Sequence, residues 1–308
     1  MAGPASGRGA VEGGPRSTFA CLWCGRAWTV RSADDLEGYA QLCPDCLGKA
    51  GDNPFLRFRL RSALAARGAA GSAGQSPAES VPSMDRAMVD YYEARAGEYD
   101  DWYLRRGRYA HGPIHDAAWN AELDAAGRWL DGLSLRGRIV ELAAGTGWWS
   151  PLLAGKGELW ISDAAEAPLD RARERLVAHG LRAHLHVRDA WAEPEGEPAG
   201  ALFAGFWLSH VERDRTETFL ALAARWLAPG GRIALIDSLL DPQSGAADHD
   251  PPADDRSVRR LADGRSFEIV KVYRTPDQVA AALRAAGFTD VDVSTTGRFF
   301  VLATGVKP

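Results

Sequence analysis

Between residues 138 and 237, short apolar runs alternate with longer stretches of helical period. Runs at 138–142, 158–162, 183–187, 201–207 and 232–237 predict strands, because strands covered on both faces must be almost continuously apolar. The segments 148–153, 167–178 and 216–227 predict helices between them. Gly180 stops the second, and Pro229-Gly230-Gly231 turns the third into the next strand. This alternation predicts an α/β domain built on a mainly parallel sheet.

Upstream, residues 85–96 carry Met88, Tyr91 and Tyr92 at helical spacing, with Gly97 as a stop. A second helix is expected over 117–130, with Trp119, Leu123, Ala126 and Leu130 on one face. Between the two, the basic and glycine-broken stretch 105–111 reads as a loop or lid. Downstream, 265–273 predicts a strand, 275–286 a helix opened by Thr-Pro-Asp, and 291–303 a closing strand pair. Residues 62–83 are Ala/Gly/Ser/Pro-rich with few large apolar groups and read as a flexible linker. The domain is therefore expected over 84–308.

The cysteines change the picture on the N-terminal side. All 4 precede residue 47, as Cys21-x2-Cys24 and Cys43-x2-Cys46, separated by 18 residues. Each pair can turn two thiolates toward one tetrahedral ion, which predicts a structural Zn2+ ribbon over 17–61. Four thiolates leave no open position for catalysis. Ordinary disulfides are disfavoured by the tight spacing and by a Gly/Ala/Pro/Ser-rich N-terminus that lacks the apolar segment of a secretory signal. The expected compartment is the cytoplasm. No run of about 18 apolar residues predicts a membrane span. The net charge of −5 argues against a protein-wide phosphate-binding surface, so nucleic acid is not the expected partner.

Candidate chemistry gathers where strands end. Glu141-Leu142-Ala143-Ala144-Gly145-Thr146-Gly147 is an acid followed by a glycine turn that opens a helix. Such a turn lets backbone approach a ligand closely and presents free N–H groups. Asp163 lies 18 residues after Gly145, at the next strand end, where a carboxylate can accept from ribose hydroxyls. Asp189 follows the third strand, where it can accept from an exocyclic amine with Ala190 or Trp191 against the ring. A dinucleotide fingerprint, Gly145-x-Gly147-x-x-Ser150, competes with this reading. It would want a glycine where Leu142-Ala143-Ala144 stand.

The stretch 141–147 resembles the first motif of the class I S-adenosylmethionine-dependent methyltransferases, with Ala143 in place of the motif's first glycine. That alanine is tolerable if its φ stays negative. Phe206-Trp207-Leu208-Ser209-His210-Val211 is similar to the segment after strand four in a bacterial group of that family, and Trp226 to Gly231 to the turn into strand five. Tyr91-Tyr92-x6-Tyr99-Asp100 resembles the entry segment of small-molecule members, whose tyrosines lie over the cofactor. The resemblance implies a doubly wound, Rossmann-like sheet of seven mostly parallel strands. It implies S-adenosylmethionine held by Tyr92, Tyr99, Glu141, Ala143, Gly145, Gly147, Asp163, Asp189, Ala190, Trp191 and Trp207.

A methyl sulfonium is already activated, so the enzyme needs chiefly in-line positioning and a base only for some acceptors. His210, just past the fourth strand, is the candidate base, with bracing of the loop as the competing role. His111, His115 and His249 are weaker candidates. Residues 84–308 contain no cysteine nucleophile, and Asp250-Pro251-Pro252-Ala253 lacks the aromatic of a base-amine methylation motif. The expected activity is methyl transfer to an oxygen or nitrogen of a small molecule. The alternatives are an RNA methyltransferase gripping substrate with the ribbon, and a non-catalytic cofactor-binding module.

Overall fold

A computed structural model describes residues 18–20, 26–29, 86–247, 249 and 255–308. The chain divides into two units, residues 1–80 and 81–308. In the first unit, β1 (Thr18–Ala20) pairs antiparallel with β2 (Ala27–Thr29), setting Phe19 opposite Trp28. The four cysteines and the 62–83 stretch lie outside the described residues.

The second unit opens with α1 (Arg86–Arg95), α2 (Tyr99–Leu104) and α3 (Pro113–Gly132). Pro113, whose fixed φ suits a first helical turn, starts α3 earlier than periodicity indicated. Next come β3 (Arg138–Leu142), α4 (Ser150–Ala154), β4 (Glu158–Asp163), α5 (Glu166–Ala178), β5 (His184–Val187) and β6 (Ala199–Gly205). The chain continues through α6 (Thr216–Trp226), β7 (Leu227–Ser238), β8 (Arg256–Arg260) and β9 (Ser266–Val270). It ends with α7 (Pro276–Ala285), β10 (Thr289–Thr295) and β11 (Phe300–Val306). A capping box fixes the start of α7: the Thr275 hydroxyl accepts from the Gln278 amide, and the Gln278 side chain accepts from the Thr275 amide.

Seven strands form one sheet in the order β10-β11-β7-β6-β3-β4-β5. The five strands β7, β6, β3, β4 and β5 run parallel, and β11 runs antiparallel to β7 and to β10. The strand order reverses between β3 and β6. In open parallel sheets the crevice for a ligand lies there, beyond the carboxyl ends of the strands. Each face carries its own core. Along β3, Val140 and Leu142 join one core, while Ile139 joins the other. No helix among the described residues is long and apolar enough to cross a membrane.

The strands β8 and β9 stand outside this sheet as a separate antiparallel ribbon. The ring of Phe267 on β9 lies 5.6 Å from that of Tyr91 on α1. Periodicity does not betray β8, whose sequence Arg-Ser-Val-Arg-Arg has a single large apolar residue.

Candidate active site

At the switch point a pocket of about 370 Å³ is lined by Ala143 and Gly145 after β3, Asp163 and Ala165 after β4, and Phe206 and Trp207 after β6. Tyr92 from α1, Tyr99 from α2 and His210 complete its rim. Six sequence candidates for the cofactor therefore share one cavity: Tyr92, Tyr99, Ala143, Gly145, Asp163 and Trp207.

Asp163 ties two loops together. Its Oδ2 accepts from the Gly145 amide at 2.8 Å, and its Oδ1 from the Ala165 amide at 2.9 Å. A carboxylate has about four lone-pair sites, so each oxygen can still accept from a ligand. Burial pushes the carboxyl up to about 6; the two amides oppose that rise, and Glu93 and Asp189 add to it.

The two glycines serve different purposes. Both have left-handed φ, 55° at Gly145 and 69° at Gly147. A Cβ on Gly145 would stand 3.1 Å from the Tyr99 hydroxyl, so this glycine lets the tyrosine lie against the turn. A Cβ on Gly147 would stand 2.7 Å from that of Ala172 on α5, so this one permits helix packing and does not line the pocket. Ala143 contradicts the negative φ required of it, adopting 50°. Phe206, at 60°, is a further outlier, and it lies in the pocket wall.

Four further cofactor candidates lie outside the pocket lining. Glu141 falls on the same face of β3 as Ile139 and is buried, accepting from the Ser150 hydroxyl at 2.6 Å. Burial pushes its carboxyl up to about 8, a value at which it is protonated at neutral pH. The Asp189 side chain accepts from the Trp191 amide at 2.9 Å, closing its own turn. Ala190 and Trp191 are core residues, with Trp191 packed on Phe219 under the Arg215 guanidinium.

His210 is buried and fully engaged. Its Nδ1 faces the Val270 carbonyl at 2.7 Å, and a carbonyl only accepts, so Nδ1 carries the proton. Nε2 then accepts from the Tyr92 hydroxyl at 2.7 Å. Burial, then the Lys271, Arg259 and Arg95 charges, hold the imidazole well below the usual histidine range, against the carbonyl bond. A direct base, with a lone pair open to substrate, is therefore not what the fold presents. His111 and His115 lie apart from this contact, their rings 5.0 Å from each other, and the His111 Nε2 meets the Gly245 carbonyl.

A second, larger cavity of about 540 Å³ adjoins the first. The two share Tyr92, Tyr99, Phe206 and His210 as a common wall. The far side of the second cavity comes from Trp102, Tyr109, Ser244 and His249, and from the β8–β9 ribbon with Arg259, Lys271 and Tyr273. Arg95, Arg259 and Lys271 went unnoticed in the sequence because α1, β8 and the end of β9 meet only in the fold.

Comparison with known proteins agrees with this geometry. A family model described as a methyltransferase domain matches residues 139–231. A solved complex of DhpI with SAH is 31% identical, with a TM-score of 0.56 over 72% of this chain and 96% of that one. A DhpI-SAM-HEP complex is 29% identical, with a TM-score of 0.57 over 76% of this chain and 100% of that one. Among curated relatives, the ubiquinone/menaquinone biosynthesis C-methyltransferase UbiE of Neisseria meningitidis serogroup A is 26% identical over 185 residues, 55% of this chain and 74% of that protein. The demethylmenaquinone methyltransferase of Clavibacter sepedonicus is 29% identical over 183 residues, 56% of this chain and 74% of that protein. Parallel sheet, switch-point pocket and a relative matched over nearly its whole length converge, and the chain belongs to the class I S-adenosylmethionine-dependent methyltransferases.

Proposed function

We propose that this methyltransferase acts on an oxygen or nitrogen of a small molecule held in the larger cavity. The observation that carries this reading is the shared wall: a ligand at the switch point and an acceptor beside it would meet at Tyr92, Tyr99, Phe206 and His210. A cavity of about 540 Å³, lined largely by aromatic rings, suits a small molecule and not a polynucleotide. The relatives named as quinone-pathway methyltransferases support a small-molecule acceptor, and the name of UbiE places its own methyl group on carbon.

S-adenosylmethionine bound here would supply an electrophilic methyl group. Asp163 would accept from its ribose hydroxyls, Gly145 would bring backbone beside it, and Tyr92, Tyr99 and Trp207 would pack around it. His210 acts as a positioning residue: neutral, and bonded to both Val270 and Tyr92, it fixes the Tyr92 hydroxyl at the common wall. Tyr92→Phe and His210→Asn should then lower kcat less than about tenfold, with no new pH limb. A loss of about 10²–10⁴-fold would restore His210 as the base.

Methyl-labelled S-adenosylmethionine, incubated with the protein and either a metabolite extract or total RNA, tests the acceptor class. Label should enter the metabolite fraction. Label confined to RNA, or transferred to neither, would overturn the reading. On the N-terminal side, Cys21, Cys24, Cys43 and Cys46 are proposed to hold one structural zinc, with the β1–β2 pairing flanking the first Cys pair in its support. Elemental analysis should find one zinc per chain, and Cys43→Ser should remove it.

A further inference from the structure

The acceptor cavity has an electrostatic peculiarity. Arg95, Arg259 and Lys271 line it, and no Asp or Glu among the described residues does. Arg95 is only 8% exposed, yet it forms no ion pair among those residues. Its guanidinium lies instead over three tyrosine rings, 4.5 Å from the centroid of Tyr99 and 5.6 Å from those of Tyr91 and Tyr109. Its Nε is buried without a hydrogen-bond partner, and so is the Tyr109 hydroxyl beside it. Ring faces offset part of the lost hydration of a cation, but a buried charge left without an anion is strongly unfavourable.

Lys271 is equally enclosed, at 8% exposure, and donates to the Ser209 hydroxyl at 2.8 Å. The Asp237 carboxylate that acts on it is committed to the backbone amides of Ser209 and Ser238. Arg259 donates to His249 Nδ1 at 3.2 Å, a neutral partner, and forms no ion pair among the described residues.

We propose that this cavity binds the acceptor through an oxyanion, so that the substrate is a small phosphonic, phosphoric or carboxylic acid gripped by Arg95, Arg259 and Lys271. The proposal rests on the reading of this cavity as the acceptor site. Its geometry suits an oxyanion because guanidinium groups offer donors in a planar fork while an ammonium offers a movable point charge. Hydroxyls from Tyr109 and Ser238 stand on the same cavity wall to take further oxygens.

Calorimetry with methylphosphonate, inorganic phosphate and acetate, against methylammonium and ethanol, tests this on the intact chain. Each titration is run with and without S-adenosylhomocysteine. The oxyanions should bind and the two controls should not. Arg95→Met and Lys271→Met should each weaken the preferred oxyanion at least tenfold, with Arg95→Lys recovering part of the loss. Circular dichroism and thermal unfolding confirm that the variants are folded, and Arg259→Gln repeats the test from the ribbon side. Methylphosphonate binding more tightly than acetate would point to a phosphorus acid, and the reverse order to a carboxylic acid. Equal binding of ethanol or methylammonium, or oxyanion affinity unmoved by all three charge removals, would overturn the proposal. Failure of S-adenosylhomocysteine to bind would instead sink the methyltransferase reading and leave the anion result standing.

Discussion

Asp163→Asn separates the fold-holding role of this carboxylate from its ligand-holding role. The asparagine amide nitrogen cannot accept, so one of the two backbone bonds, to Gly145 or Ala165, is lost. Net of both amide bonds, the folded carboxyl titrates near 6 where its ordinary value is 3.8, which opposes its ionisation by about 3 kcal/mol at pH 7. The neutral amide avoids that cost and keeps one of the two bonds, so the free protein should be stabilised at pH 7, by less than about 3 kcal/mol. Binding should move the other way. Ribose hydroxyls donate to the ionised form, so S-adenosylhomocysteine affinity should fall by about 1–3 kcal/mol.

The pH dependence supplies a second arm. Because the folded carboxyl titrates higher than the unfolded one, its contribution to stability is present below pH 3.8 and lost as pH rises through about 6. Ligand binding has the opposite slope: affinity should drop about tenfold between pH 7 and pH 5 as the carboxylate is protonated. The groups acting on it are the Gly145 and Ala165 amides and the acids Glu93 and Asp189. Calorimetry at pH 5, 6 and 7 reads the slope, which should flatten in Asp163→Asn. Wild-type affinity in the mutant, or an unchanged slope, would refute the assignment.

Three further outcomes follow from the same geometry. Ala143→Gly should stabilise the free protein by about 0.5–1 kcal/mol in urea titrations, since the left-handed φ of 50° strains an alanine by more than glycine's extra chain entropy costs. Glu141→Gln should keep cofactor affinity within about threefold, because the side chain bonds Ser150 and not the pocket. Its melting temperature should exceed that of the wild type increasingly from pH 5 to pH 9: a carboxyl raised to about 8 contributes stability below its ordinary 4.5 and loses it as pH rises through 8. Acetate affinity should weaken about tenfold per pH unit above 8, because burial lowers the Lys271 ammonium to about 8 and an anion binds only its charged form. Asp237, Arg259, Arg95, Arg274 and the Tyr273 ring are the groups facing that ammonium, and Lys271→Met should remove the effect.

Local features of this site are legible in the chain itself. The glycine turn at Gly145 and the acid ending β4 are fixed by short-range geometry, and both arrive at the switch point. Glu141 stands outside the pocket lining for an equally local reason: side chains alternate along a strand, and residue 141 shares the buried face of Ile139. Asp100, which accepts from the Thr146 hydroxyl at 2.6 Å and pairs with Arg175, steadies the turn from 46 residues away and leaves no local signal. The acceptor cations are hidden in the same way. Arg259 sits in a charged strand that periodicity does not mark, and Arg95 in a helix whose inward face looks merely aromatic.

The charges on the two sides of the shared wall are opposite, and that asymmetry bears on the base. On the cofactor side stand Asp163 and, in its field, Glu93 and Asp189. On the acceptor side stand Arg95, Arg259 and Lys271. A cationic sulfonium is favoured in the first field and an oxyanion in the second. An acceptor hydroxyl or protonated amine would have to lose a proton on transfer, and the one imidazole at the wall is poorly suited to take it. Its Nε2 already accepts from Tyr92, and three cations oppose a fourth charge beside them. An already ionised oxygen has no proton to lose. Alkylation of that oxygen also removes one negative charge from the acceptor, so the ester product is held less tightly by the same cations than the acid was. On the proposed reading, the cationic wall would thereby select the substrate in its reactive form and loosen its grip once the methyl group has moved.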